Sequence, residues 1–312
     1  MRIFKWITKD TNINFMGAKK LTYVISIFSF IASIALISVK SFNFGIDFSG
    51  GILLEIKSEQ AFDVQKVRKD LESVNIGEIN LQAVGEEGKE LMIRAEADNL
   101  DEKAQREAVK NIKTVLGDTV EYQRIETVGP QVGSELKIAG AVASLIAILA
   151  ICAYIWIRFE WQFALGALLG LFHDVIITLG LLSLFEMDFS LTTIAAILTL
   201  AGYSVNDTVV TYDRIRENLH KFTKMPQVDL LNKSINDIFS RTLLTGFSTI
   251  LAAISLLIFG GETLRSFSFT IVWGVIVGTY SSIYVSAVIL DLFDLRKTQE
   301  AAKNVNPFGD VE

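Results

Sequence analysis

The chain has 312 residues, 51% of them hydrophobic, a mean hydropathy of +0.41 and a formal net charge of −6. It is too apolar for an ordinary soluble protein. A single cysteine, Cys152, excludes a disulfide within the chain, and the two histidines, His173 and His220, have no cysteine cluster to join in a metal site.

Residues 1–20 are basic, with Arg2, Lys5, Lys9, Lys19 and Lys20 against Asp10 alone. Residues 21–39 are apolar over about the 20 residues that a membrane-crossing helix needs. Lys40 and Phe42 follow, not a small-x-small cleavage site, so the stretch reads as an anchor that is retained.

Residues 40–135 carry the charge of a water-soluble domain, and their apolar period changes several times. The pattern predicts a strand over 52–57 and a helix over 61–74, with Val64, Val67, Leu71 and Val74 on one face. Two strands at 78–84 and 89–96 are joined by the hairpin signal Gly85-Glu86-Glu87-Gly88. A helix over 100–116 presents Ala104, Ala108, Ile112 and Val115, and a last strand covers 118–127. The order strand, helix, strand, strand, helix, strand is that of a ferredoxin-like α+β domain. That fold hosts many functions. The segment has no phosphate loop, no metal-ligand cluster and no Ser/His/Asp arrangement, and its acidity argues against nucleic acid. Gly45-Ile46-Asp47-Phe48-Ser49-Gly50-Gly51 leads in, and Thr127-Val128-Gly129-Pro130-Gln131-Val132-Gly133 leads out. Both read as short connectors, either stiff or hinged.

Residues 136–293 read as a bundle of five more spans, at 138–157, 163–185, 189–212, 243–259 and 267–290, with a cytoplasmic loop at about 214–240 and a tail at 294–312. The fold class is thus a polytopic membrane protein of six helices with a small α+β domain between the first two. Arg158, the cluster Arg214, Arg216, Lys221, Lys224, Lys233 and Arg241, and the tail residues Arg296, Lys297 and Lys303 fall on one side of such a chain; Glu186 and Asp188 fall on the other. The basic side faces the cytoplasm, which puts both termini inside and the domain outside.

An ionisable group inside the bilayer costs on the order of 3 kcal/mol, so each needs a reason. His173 and Asp174 are central in the third span; Asn206 and Asp207 lie in the fourth, Asp213 and Arg214 end it, and Arg241 starts the fifth. One reading is structural ion pairing, which suits Asp213 at the membrane edge and Asp174. The other is a carboxylate that loads and releases a proton or Na⁺, which suits Asp207, with Tyr203 and Thr211 at i−4 and i+4 as candidate partners. Gly166/Gly170 and Gly274/Gly278 permit close helix approach. Thr279-Tyr280-Ser281-Ser282 is a polar stripe that suggests an interior or subunit-facing surface.

The motif Gly45 to Gly51 resembles the signature of the SecF family and its sister family SecD. So do Gly202-Tyr203-Ser204-Val205-Asn206-Asp207-Thr208-Val209-Val210 followed by Tyr212-Asp213-Arg214, then Ser240-Arg241-Thr242-Leu243, Gly274 to Ser282, and His173-Asp174-Val175. The resemblance implies a multi-pass subunit of the bacterial inner membrane, in the resistance–nodulation–division superfamily. It implies SecD as a partner, contact with the SecYEG translocon and with YajC, and a translocating polypeptide as cargo. Proton or Na⁺ would be the coupling ion, with no cofactor and no enzymatic reaction. By the same resemblance Asp207 carries the ion and Arg241 modulates it; Asn206, Asp213 and Asp174 complete the candidate ion-coupling set, and Gly45, Asp47, Gly50 and Gly51 the hinge motif. Half of another exporter of the same superfamily is the alternative, although such chains carry two large outside domains. An intramembrane aspartyl protease would need two carboxylates in one site, and no Gly-x-Gly-Asp surrounds either acid. A passive scaffold would differ in showing no ion dependence.

Overall fold

The computed structural model describes residues 11–296, apart from 73, 75, 76, 78, 85–87, 96–101, 118 and 119. The hairpin residues 85–87 and the basic residues Arg2, Lys5, Lys9, Lys297 and Lys303 therefore lie outside the described residues. Among the described residues, six helices are long and apolar enough to cross a membrane: Met16–Lys40, Pro130–Arg158, Trp161–Leu184, Leu191–Lys221, Gln227–Phe259 and Gly261–Leu292. Within them the regular α-helices are α1 (Lys19–Lys40), α5 (Pro130–Arg158), α6 (Trp161–Leu184), α7 (Leu191–Lys221), α8 (Gln227–Phe259) and α9 (Gly261–Ser281).

The expected loop at 214–240 is not a loop. α7 runs on to Lys221 and α8 begins at Gln227, which leaves only residues 222–226 between them. Leu230, Leu231, Ser234, Ile235 and Ile238 recur at helical spacing and are buried, so α8 is amphipathic before it is apolar. A rise in charge marks the end of a lipid-facing surface, and the helix continues through it.

The described chain divides into two compact units, one of residues 43–145 with 188–194, the other of residues up to 42, 146–187 and from 195 onward. The first unit holds β1 (Asn43–Phe44), α2 (Ile46–Ser49), β2 (Gly51–Lys57), α3 (Val64–Glu72), β3 (Ile79–Val84), β4 (Glu90–Ala95), α4 (Glu102–Leu116), β5 (Glu121–Val128) and β6 (Asp188–Phe189). Its four-stranded sheet has the order β3-β4-β2-β5, antiparallel throughout, with Leu54 opposite Ile93 and Ile125. That is the split βαββαβ arrangement. Ile52, Leu54 and Ile56 alternate on one face of β2 and form the core with Val67, Leu71, Leu91, Ile93, Ala108 and Ile112. On the other face Leu53 packs on Ile46 and Met92, so the central strand is covered on both sides.

The glycine motif is built into this unit and is more than a connector. Ile46–Ser49 forms a helical turn, with Ile46 and Phe48 buried. Gly50 and Gly51 have φ of 74° and 116°, a region that a side chain disfavours. A Cβ on Gly133 would lie 3.1 Å from the Gly50 nitrogen, so the first turn of α5 packs on the motif. The outgoing segment is shorter than its composition implies. Only Gly129 separates β5 from Pro130, which opens α5 at the position where proline is tolerated.

In the other unit, helices approach where side chains are small, because packing rather than the hydrophobic effect drives association in lipid. A Cβ on Gly180 of α6 would overlap Ser33 of α1, and one on Gly274 of α9 would overlap Leu200 of α7. After Ser281 the sixth spanning helix changes to a π-helical turn, Ser282–Ser286. Gly166 and Gly170 of α6 make room for it: a Cβ at either would overlap the Tyr212 or the Ser286 hydroxyl.

Candidate ion-coupling site

Asp207 projects from α7 into the bundle and is 7% exposed. Its Oδ1 accepts a hydrogen bond from Thr242 Oγ1 of α8 at 2.9 Å, and its Oδ2 accepts one from Ser282 Oγ at 2.6 Å. Asp174 of α6 is fully buried. Its Oδ1 lies 2.9 Å from His173 Nδ1, and its Oδ2 accepts hydrogen bonds from Ser204 Oγ of α7 at 2.5 Å and Ser281 Oγ at 2.6 Å. Two consecutive serines on one helix therefore serve two carboxylates on two other helices. Successive side chains on a helix point roughly 100° apart, which allows this division. Gly278, one turn earlier, leaves the space: its Cβ would be 3.3 Å from Ser204 Cβ and 3.6 Å from Asp174 Oδ2.

The chemistry of the partners matters more than their number. A hydroxyl both donates and accepts, so it can satisfy an ionised carboxylate or a protonated one. Ser282 Oγ also lies 3.1 Å from the Thr279 carbonyl, and Ser281 Oγ 3.1 Å from the Gly278 carbonyl. Each serine thus has a second acceptor for its proton when the carboxyl becomes a donor. An arginine in direct contact would offer no such choice, because it only donates and holds the acid ionised.

The structure separates the remaining candidates. The hydrogen bond to Asp207 from α8 comes from Thr242, while its neighbour Arg241 lies close enough to Asp207 to act on it as a charge. Arg241 also lines a cavity of about 490 Å³ with Val210, Asp213, Arg214, Glu217, Asp237 and Ile238. Asp213 pairs with Arg158 at 3.2 Å, not with Arg214 or Arg241. Arg214 binds Asp237 at 2.7 Å and Glu217 at 2.6 Å, and Asp237 also accepts from Asn218 and Lys233. Thr211 Oγ1 binds the Asp207 backbone carbonyl at 3.0 Å, not its carboxylate, as a hydroxyl one turn along the same helix must. Asn206 sits on the exposed face of α7.

Sequence reasoning missed Thr242, Ser204 and Asp237 as partners. The polar stripe at 279–282 was the signal for Ser281 and Ser282. Thr242 lies within a segment that is otherwise recognisable, but a single threonine at the start of an apolar run carries no signal of its own. His173 stacks on Tyr280 at 6.1 Å, and the Tyr280 hydroxyl donates to the Thr22 carbonyl and meets Ser26, which brings α1 into the same polar layer.

Comparison with known proteins gives the family of the chain. The sequence profile of the SecD/SecF C-terminal family of protein export membrane proteins matches residues 108–296, and that of the SecD/SecF GG motif matches 35–61. A protein translocase subunit SecF of Rickettsia rickettsii is 48% identical over 291 residues, covering 91% of this chain and 92% of that protein. The SecF of Rickettsia prowazekii is 46% identical over 300 residues, covering 94% of each. The crystal structure of SecDF, a translocon-associated membrane protein from Thermus thermophilus, superposes with a TM-score of 0.82 at 34% identity. It matches 92% of this chain, which spans only 39% of that longer one. A SecDF crystal structure in a super-membrane-facing form gives a TM-score of 0.66 at 36% identity.

Proposed function

The chain belongs to the SecD/SecF family of protein-export membrane proteins, and from that premise we propose that it is a SecF-type translocase subunit in which Asp207 carries the coupling ion. The observation behind this is the Asp207 setting: a buried carboxylate held by hydroxyls from two other helices, one of which has an alternative acceptor. Such a site tolerates both protonation states at small cost. The nearby cavity lined by Arg241 and Asp213 offers a polar approach from one end of the bundle. The proton, or Na⁺ in its place, moves down its gradient, and the energy drives a polypeptide outward. One charge crossing about 100 mV provides roughly 2.3 kcal/mol, enough to reorder two conformations that differ by that amount. In this reading the α+β domain lies outside the inner membrane and moves as a body, and both termini lie in the cytoplasm.

SecD is the proposed partner. Asn206 is an amide exposed on a spanning helix, one residue from the ion carrier. Facing lipid it would be costly; against a second helical bundle it finds hydrogen bonds. SecYEG and YajC would join through the same assembly. The test is Asp207→Asn in membrane vesicles with an imposed gradient. The variant is expected to assemble with its partner and to lose gradient-stimulated export. Normal stimulated export by Asp207→Asn would remove Asp207 from the role.

A further inference from the structure

The glycine motif contains an acid that the ion-coupling reading leaves unused. Asp47 Oδ2 accepts a hydrogen bond at 3.0 Å from the backbone N–H of Leu191, the first residue of α7. The first N–H groups of a helix have no partner within it, so a carboxylate supplied from 144 residues away caps α7 from outside. The surrounding contacts hold this cap in place. β1 and β6 pair in parallel, Asn43 beside Asp188 and Phe44 beside Phe189, and the Gly45 N–H donates to the Phe189 carbonyl at 2.9 Å. Phe44, Phe48 and Phe189 stack edge to face or tilted within 6.3 Å of one another.

The sheet grips the same place. Arg94 of β4 forms an ion pair with Asp188 at 2.8 Å and donates to Asn43 Oδ1 at 2.9 Å, and Asn43 Nδ2 donates to Asp188 Oδ1 at 2.7 Å. The Arg94 side chain is only 12% exposed, so this pair is better shielded than an ordinary surface bridge. Thr193 Oγ1 in the first turn of α7 donates to the Asp188 carbonyl at 2.7 Å. The start of α7 is thereby part of the same compact unit as the sheet. Asp207 lies on the same continuous helix, 16 residues on, or about 24 Å at helical rise.

We propose that Asp47 and Arg94 are positioning residues that clamp the first turn of α7 to the α+β domain, so that a displacement of α7 set by the charge on Asp207 is delivered to the domain. This rests on Asp207 being the ion carrier. A helix is stiff along its axis, and a capped, ion-paired end passes its movement on where a frayed end would absorb it.

The test uses the full chain with its partner in vesicles, and reads both gradient-stimulated export and uptake of the ion by a pH-sensitive or Na⁺-sensitive dye. Asp47→Leu keeps the size but removes the acceptor; stimulated export is expected to fall by roughly fivefold or more, the scale of a lost cap, with ion uptake unchanged. Asp47→Asn keeps an acceptor oxygen and is expected to retain export within about twofold. Arg94→Asp is expected to lose export, and the swap with Asp188→Arg to restore it in part, which also covers the case that Asp47→Leu fails to fold. Wild-type export in both Asp47→Leu and Arg94→Asp would overturn the proposal. So would Asp47→Asn failing as badly as Leu, which would make the charge rather than the cap the requirement, or ion uptake falling together with export. Asp207→Asn is run alongside: if it leaves uptake and export intact, the ion-carrier reading fails by itself.

Discussion

Asp174 and Asp207 are built from the same parts and are not equivalent. Both are buried carboxylates on neighbouring helices, and both take a hydroxyl from the serine pair on the sixth spanning helix. Asp174 is fully enclosed and has three polar partners around it, the His173 ring and the donors Ser204 and Ser281. Asp207 is 7% exposed and has two, from Thr242 and Ser282, and a cavity lined by charged residues begins about one turn further along its helix, at Val210. If Asp207 is the carrier, as proposed, burial alone does not mark one: the carrier would need partners that accept either protonation state and a route by which the ion arrives, and Asp174 has the first and is the better tied of the two.

The comparison breaks most sharply at Asp174. Asp174→Leu leaves His173 Nδ1 and two serine hydroxyls to find new partners in the bundle interior, and the variant is expected to lose roughly 3 kcal/mol or more of stability. The measurement is its melting temperature in mild detergent. Asp174→Asn keeps one acceptor oxygen and is expected to remain folded with most of its export activity. Loss of ion uptake in a well-folded Asp174→Asn would instead put Asp174 on the ion's route and merge the two sites.

A smaller effect sharpens the Asp207 side. Ser282→Ala removes the hydroxyl that has an alternative acceptor, whereas Thr242→Val removes one of similar distance from α8. If proton exchange at Asp207 depends on the partner that can reverse its hydrogen bond, Ser282→Ala is expected to slow ion uptake more than Thr242→Val. The two are compared at equal protein density in vesicles. The opposite order would assign the exchange to Thr242.

The smallest effect comes from a carboxylate outside the membrane, which serves as the reference. Lys40 donates to Glu186 at 2.8 Å and lies close to it as a charge, which holds the Glu186 carboxyl below its ordinary range. A lowered folded value contributes stability above the unfolded glutamate pKa and loses it as pH falls through the folded value. Both side chains are largely exposed, so the contribution is screened. Glu186→Gln is expected to lower the melting temperature slightly at pH 7, with the difference vanishing in acid; a difference that grows in acid would contradict the assigned cause.

The sequence by itself determined what depends on local pattern. The six spans are written as runs of apolar residues, because the bilayer reads length and hydropathy. The α+β domain is written as changes of period, and the alternation of Ile52, Leu54 and Ile56 was enough to place one face of the central strand. Asp174 and Asp207 stood out because an acid in an apolar run is rare. Helix ends beyond the membrane were misread at 214–240, since charge reports exposure to water and not the end of hydrogen bonding. The tertiary structure alone decided the partners. Thr242 and Ser282 reach Asp207 across 35 and 75 residues, Ser281 reaches Asp174 across 107, and Asp47 caps Leu191 across 144. A serine or threonine in an apolar helix is equally at ease bonding to its own backbone or to another helix, so only the packing of small residues, which sets how closely helices approach, settles which carboxylate it serves.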